Sequence, residues 1–222
     1  MRSFDEIFAI AAERKGGADA LNPLLEPPSA QADLAAIPDN RWLAQSTKCI
    51  FNAGFNWKVV EAMWPGFEAA FEGFDLGRCA MLNDEDIARL ASDTRIVRHG
   101  GKIRSVQENA VFFAGLAKEH GSVGKFIADW PDEDYAGLLA FLKKRGSRLG
   151  GNTGQYFLRF MGKDSYVLSR DVVARLIAEG VIDKEPTSKS AMAAVQEAFN
   201  TWRRQSGRSQ KEISRTLAMS IG

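Results

Sequence analysis

The stretch Lys143-Lys144-Arg145-Gly146 followed by Leu149-Gly150-Gly151-Asn152-Thr153-Gly154 places a compact glycine turn between a basic helix end and an apolar helix. A helix through Leu138, Leu139 and Leu142 leads into the turn, and another from Tyr156 to Met161 leads out. Glycines permit positive φ and let successive main-chain N–H groups point the same way at a helix N-terminus. That geometry makes a small nest for an anion such as a phosphate. The same residues also suit an ordinary interhelical turn with solvated charges. Between Leu139 and Arg175, Lys143, Lys144, Arg145, Arg148, Arg159, Lys163, Arg170 and Arg175 face only Asp164 and Asp171, while the whole chain has a formal charge of +1. Positive charge is therefore local rather than global.

Outward from that turn the apolar spacing is helical almost everywhere. Phe4, Ile7, Phe8 and Ala11 form a stripe that ends at Gly16-Gly17. Pro23, Pro27, Pro28 and Pro38 make residues 22–39 a connector that cannot be a long helix. Residues 42–63 read as one or two helices interrupted near Gly54, Trp64-Pro65-Gly66 as a stop, and residues 67–74 as a short helix. Asn83 is placed to cap a helix whose first turn carries Asp84 and Glu85. Gly100-Gly101 breaks the chain before a long helix through Ile103, Val106, Ala110 and Phe113. Ser169 suits the cap of a helix through Val172, Val173 and Leu176, and residues 188–204 and 209–219 make two final amphipathic helices. No alternating segment is long enough to build a sheet. The expected fold class is all-α.

With 222 residues, 45% hydrophobic, the chain can bury one substantial core or two small lobes sharing one. Its two cysteines, Cys49 and Cys79, cannot form a disulfide framework, an iron–sulfur cluster or a cysteine-rich zinc site, which fits a reducing, cytoplasmic compartment. No apolar run approaches the ~20 residues that span a bilayer, so no membrane partner is expected. Acidic residues inside the apolar N-terminal stretch argue against a cleaved signal peptide.

Two further stretches carry chemistry. In Cys49-Ile50-Phe51-Asn52-Ala53-Gly54-Phe55-Asn56-Trp57, aromatic rings and carboxamides alternate around one flexible glycine. Phe51, Phe55 and Trp57 could stack on a planar base while Asn52 or Asn56 reads its polar edge; equally, two or three of the rings are ordinary core. In Arg95-Ile96-Val97-Arg98-His99-Gly100-Gly101-Lys102-Ile103-Arg104, a basic cluster could touch phosphates or merely fix a tight helix pair. His99 and His120 lack partners at metal-ligand spacing. The acidic runs at Asp84 and Asp132 are explained by helix capping. No nucleophile elbow, P-loop or dinucleotide fingerprint is present, and no strand precedes the glycine turn.

Together the three stretches resemble the DNA-3-methyladenine glycosylase I family of the helix–hairpin–helix DNA glycosylases. The block from Ile96 to Ile103 with Asn109-Ala110, the segment Ala53-Gly54-Phe55-Asn56-Trp57, and Lys143-Lys144-Arg145-Gly146 with Gly151-Asn152-Thr153 occur in the family's order, from about Cys49 to Arg175. The resemblance implies a two-lobed helical protein that bends double-stranded DNA, flips out an alkylated base and hydrolyses its N-glycosidic bond. It implies Trp57 as the stacking platform, Gly54 and Phe55 as the wedge in the duplex, and Gly151, Asn152, Thr153 and Gly154, with Arg148 and Lys144, on the phosphate backbone.

Departures accompany it. The family's pocket carboxylate falls at Cys49, with Asn52 the nearest polar substitute. The superfamily's aspartate falls at Ser169 or Arg170, leaving Asp171 displaced and held in reserve as a catalytic group. Gln155 stands where bifunctional members carry a lysine, so base hydrolysis without strand cleavage is expected. The family's zinc clip has no counterpart, and neither metal nor cofactor is expected. The expected unit is a monomer with a lobe over residues 48–135, a hairpin lobe over 136–185, and terminal helices 1–47 and 186–222 packing on them, nucleoid-associated if bacterial. A non-catalytic lesion-binding or DNA-architectural module is the alternative, favoured by Cys49; a protein-interaction scaffold is a third.

Overall fold

A computed structural model describes residues 1–221. Among these residues there are helices and short 3-10 turns and no strand, as the periodicity predicts. The first stripe forms α1 (Phe4–Lys15), opened by a reciprocal cap between Ser3 and Glu6, followed by α2 (Ala18–Leu21). The proline-rich connector holds α3 (Gln31–Ala36). Then come α4 (Asp39–Asn52), α5 (Trp57–Ala62), α6 (Trp64–Ala70), α7 (Leu76–Ala80), α8 (Asp84–Ser92), α9 (Gly100–His120) and α10 (Val123–Asp129). The hairpin helices are α11 (Tyr135–Arg145) and α12 (Gly151–Met161), and α13 (Arg170–Ala178), α14 (Lys189–Ser206) and α15 (Gln210–Met219) complete the described chain.

Three boundaries differ from expectation. The preceding helix does end before Trp64-Pro65-Gly66, at Ala62, but that stretch also begins α6, ahead of the expected Phe67, because Pro65 lies in the first turn, where a missing N–H costs nothing. Gly100-Gly101, expected as a break ahead of the long helix, forms the first two residues of α9: His99 caps the helix, its Nδ1 accepting from Lys102 N at 3.2 Å. The second hairpin helix starts at Gly151, not Tyr156.

The chain divides into two compact units. One comprises Met1–Ser29, Pro131–Leu138 and the chain from Gly162 onward; the other comprises Ala30–Trp130 and Leu139–Met161. This differs from the expected lobes, since most of the hairpin groups with the Trp57 segment and residues 162–185 group with the terminal helices. Packing gives the reason. In the central unit the Phe157 ring of α12 meets Trp42 of α4 edge-on at 5.9 Å and Phe113 of α9 at 6.1 Å. In the terminal unit Tyr166 stacks on Phe199 at 4.4 Å, and Asp164 accepts hydrogen bonds from the main-chain N–H groups of Gln210 and Lys211 at the start of α15.

Buried ion pairs also organise the terminal unit. Arg175 donates to Ser220 Oγ and O and to Glu179, and Glu179 accepts from both the main chain and the guanidinium of Arg2. Lys163 pairs with Asp132 at 2.8 Å. Two of the eight cations counted in the basic stretch are therefore committed to internal bonds. Arg203, Arg204 and Arg208 around the start of α15 are likewise paired, with Glu133, Glu197 and Glu212. They line an open cleft of about 590 Å³ together with Glu133, Asp164 and Asn200.

Candidate nucleic-acid interface

The hairpin begins where α11 ends in Lys143, Lys144 and Arg145, all exposed. Gly146 N donates to Leu142 O, and Leu149 is buried under the turn at 1% exposure. A Cβ on Gly154 would lie 2.4 Å from Leu149 O, so only glycine lets the first turn of α12 close over that residue. Gly151 and Asn152 are exposed and Thr153 is half-buried at the start of α12. First-turn amides have no partner within their own helix, and the positive end of the helix dipole lies there. The glycine turn thus sits at a helix N-terminus, with Lys143, Lys144, Arg145 and Arg148 exposed around it.

The turn is held from outside by α9. Asn109, fully buried, donates from Nδ2 to Ser147 O at 3.0 Å and accepts from Ser147 N at 2.8 Å. Arg148, in a left-handed conformation at φ 58°, donates from Nε to Gly101 O at 3.2 Å.

One residue along α9, Lys102 reaches the other half of the interface. Its ammonium donates to Phe51 O and Ala53 O at the end of α4 and lies 4.5 Å from the centroid of the Phe55 ring. Burial, reinforced by the charge of Arg148, holds its pKa below the ordinary lysine value. His99 meets the Phe55 ring edge-on at 6.2 Å. Of the cations in the block from Arg95 to Arg104, Lys102 is buried, while Arg95, Arg98 and Arg104 are exposed, Arg95 paired with Asp93 and Arg104 with Asp84. Sequence reasoning missed Lys102 and Asn109 as organisers of the site; their only signal was their place in the resembling block.

Gly54 takes φ 77° with nothing near the position of a Cβ, so the chain turns sharply after α4. Phe55 then emerges 43% exposed and Trp57 66% exposed at the start of α5. Phe51, in the same run, is core, packed on Phe67 at 4.7 Å. Asn56 caps α5, its side chain accepting from Lys58 N at 3.0 Å, and is thereby committed to the backbone. Asn52 is different: its Oδ1 is buried with no hydrogen-bond partner among the described residues. Such an orphaned acceptor costs roughly 1–3 kcal/mol unless a ligand donor satisfies it. Cys49 is buried, accepts a 3.5 Å contact from Gln45, and burial pushes its thiol up to about 11, so no negative charge stands at that position near neutral pH.

Asp171 belongs to the terminal unit, exposed in the first turn of α13 behind the Ser169 cap. No group of three or more His, Cys, Asp or Glu side chains among the described residues could hold a metal ion. No described helix is long and apolar enough to cross a membrane.

The chain is similar to known DNA glycosylases. Residues 47–137 match the model of the Methyladenine glycosylase family. DNA-3-methyladenine glycosylase 1 of Escherichia coli K12 is 34% identical over 147 residues, covering 53% of this chain and 78% of that protein. Among solved structures, 3-methyladenine DNA glycosylase I from Staphylococcus aureus, described for its recognition of 3-methyladenine, shares 23% identity at a TM-score of 0.51, over 56% of this chain and 77% of that one. An 8-oxoguanine glycosylase/lyase from Methanocaldococcus jannaschii, solved with a 15mer DNA containing 8-oxoguanine, superposes at a TM-score of 0.50 with 14% identity, over 96% of this chain and 95% of that one. At these identities the two solved structures show a shared fold.

Proposed function

Because the chain belongs to the DNA-3-methyladenine glycosylase I family, we propose that it is a monofunctional DNA glycosylase that extrudes alkylated purines, 3-methyladenine-like, from duplex DNA and hydrolyses their N-glycosidic bond in base-excision repair. The observation that carries this reading is the exposed pair Phe55 and Trp57 on a glycine turn, tied through consecutive residues of α9 to a glycine hairpin with exposed cations. The hairpin grips the backbone through the amides of Gly151, Asn152, Thr153 and Gly154 with Arg148 and Lys144, the wedge of Gly54 and Phe55 fills the gap, and Trp57 receives the extruded base.

The chemistry suits a pocket without a carboxylate. An N3- or N7-alkylated purine carries positive charge, so its C1′–N bond breaks with the electron pair leaving on a base that becomes neutral. Water adds at C1′ and its proton goes to solvent. Stacking of the cationic base on Trp57 supplies about 0.5–2 kcal/mol, more when desolvated. Asn52 Oδ1, the unpartnered acceptor, would take a hydrogen bond from the base, with the neutral Cys49 thiol beside it on the same helix. Gln155, buried in α12, offers no amine for a Schiff base, which favours hydrolysis without strand cleavage.

The second reading is a lesion-binding module that kept the hairpin and wedge and lost chemistry; the absence of a carboxylate at Cys49 favours it. Incubating the protein with alkylated, deaminated and oxidised duplexes and chromatographing the free bases separates the two. Release confined to alkylpurines supports the glycosylase, whereas tight lesion binding with no free base supports the module.

A further inference from the structure

We propose that Lys102 is the positioning residue that holds the segment from Ala53 to Trp57 in the shape its wedge and base platform require, an inference that rests on the glycosylase reading above. Lys102 is buried, at 6% exposure, and the bonds its ammonium makes are to main-chain carbonyls, with no carboxylate paired to it among the described residues. A buried cation without a counter-ion is costly unless strong dipoles replace its water. Here the compensation comes from the negative end of α4, through Phe51 O and Ala53 O, and from the ring faces of Phe55 at 4.5 Å and Phe51 at 5.7 Å.

The segment has little else to fix it. Its other hydrogen bonds among the described residues are local, to Cys49, Asn52, Lys58, Val59 and Val60. Gly54 has open space around it. Among the described residues Lys102 is the one hydrogen-bonded tie between this segment and a distant element, and the adjacent Gly101 carbonyl takes the Arg148 bond from the hairpin. Two neighbouring residues of α9 thus set the spacing between the backbone grip and the wedge. A wrong spacing leaves DNA affinity intact and fails at base extrusion, which separates this role from a generic contribution to stability.

The test compares the full-length protein with Lys102→Met, which keeps the length and apolar stem, and Lys102→Arg, which keeps a cation. All are assayed at a temperature where circular dichroism shows each variant folded. Three quantities are read: affinity for an undamaged duplex, the fluorescence rise of 2-aminopurine beside a lesion on extrusion, and the single-turnover rate of 3-methyladenine release with its half-saturating protein concentration. The expectation for Lys102→Met is undamaged-duplex affinity within about twofold, with the extrusion signal and maximal rate down about tenfold or more, toward the ~10²-fold that an ångström of misplacement can cost. Lys102→Arg should recover most of both.

Unchanged extrusion and rate in Lys102→Met would overturn the proposal. So would parallel losses of duplex affinity and extrusion, or a failure of Lys102→Arg to rescue. Should the native protein raise the 2-aminopurine signal and release no base, the hydrolytic reading fails while the extrusion arm still decides the role of Lys102.

Discussion

Asn109 closes two hydrogen bonds on the main chain of Ser147, one from its Nδ2 to the carbonyl at 3.0 Å and one accepted from the N–H at 2.8 Å. A single buried side chain thereby fixes the turn on which the backbone grip depends. Asn109→Ala leaves both Ser147 groups unpaired, at a cost of roughly 1–3 kcal/mol. The melting temperature should fall, and undamaged-duplex affinity should fall more than Lys102→Met lowers it. Intact duplex affinity in Asn109→Ala would show that the grip does not need this turn.

Trp57 projects from the start of α5 at 66% exposure. Trp57→Ala should therefore change stability by no more than about 0.5 kcal/mol, as for surface positions generally. Release of methylated adenine should be lost while undamaged-duplex affinity is retained. Equal loss of binding and release would remove Trp57 from the base pocket.

Lys144 and Arg148 are exposed beside the glycine turn. Duplex binding should weaken steeply with salt, and Lys144→Ala should reduce the log–log slope by about 0.9, the value for one phosphate neutralised on B-DNA. An unchanged slope would place Lys144 off the backbone. Arg148→Ala should cost more, because it also loses the bond to Gly101 O.

Burial pushes the thiols of Cys49 and Cys79 up to about 11 and about 12. Both stay protonated at neutral pH, so the folded protein should resist alkylation by iodoacetamide near pH 8 and label at both sites on unfolding. Cys49→Ser should retain base release. Abolished release would give the Cys49 sulfur a chemical part that its burial argues against.

Burial of Glu179 acts to raise its pKa, but hydrogen bonds from the main chain and guanidinium of Arg2 and from Arg175 outweigh it and the net shift is downward from 4.5. A lowered carboxyl pKa contributes stability that is present above the unfolded value and lost as pH falls through the folded value. Glu179→Ala strands the buried Arg175 and should cost about 3–5 kcal/mol near neutral pH, with part of the native protein's acid sensitivity removed. Parallel acid titrations of melting temperature in the native and variant proteins would refute this.

Local chemistry made much of the fold legible. Asn83, Ser169, Ser188 and Ser209 each cap the helix their residue type suggests. The glycine turn and its cations were readable for the same reason, since positive φ and first-turn amides are properties of adjacent residues. Exposure of the aromatic run was not. Phe51, Phe55 and Trp57 are chemically alike along the chain, and only tertiary packing buries the first and leaves the others open. Charge counting failed where partners are remote: Lys163 meets Asp132, Arg175 meets Ser220, and Lys102 meets the end of α4. The same limit left two division points of the chain unreadable, because Phe157 joins the hairpin to Trp42 across more than half the sequence.

Whether a base leaves the DNA decides between the glycosylase and the binding module. A duplex carrying 3-methyladenine, mixed with excess protein under single-turnover conditions, should yield free 3-methyladenine and an abasic strand that stays unbroken until alkali is added. The same duplex held tightly by the protein, with every methylated base still attached to its sugar, would contradict the glycosylase assignment and leave a DNA-binding module in its place.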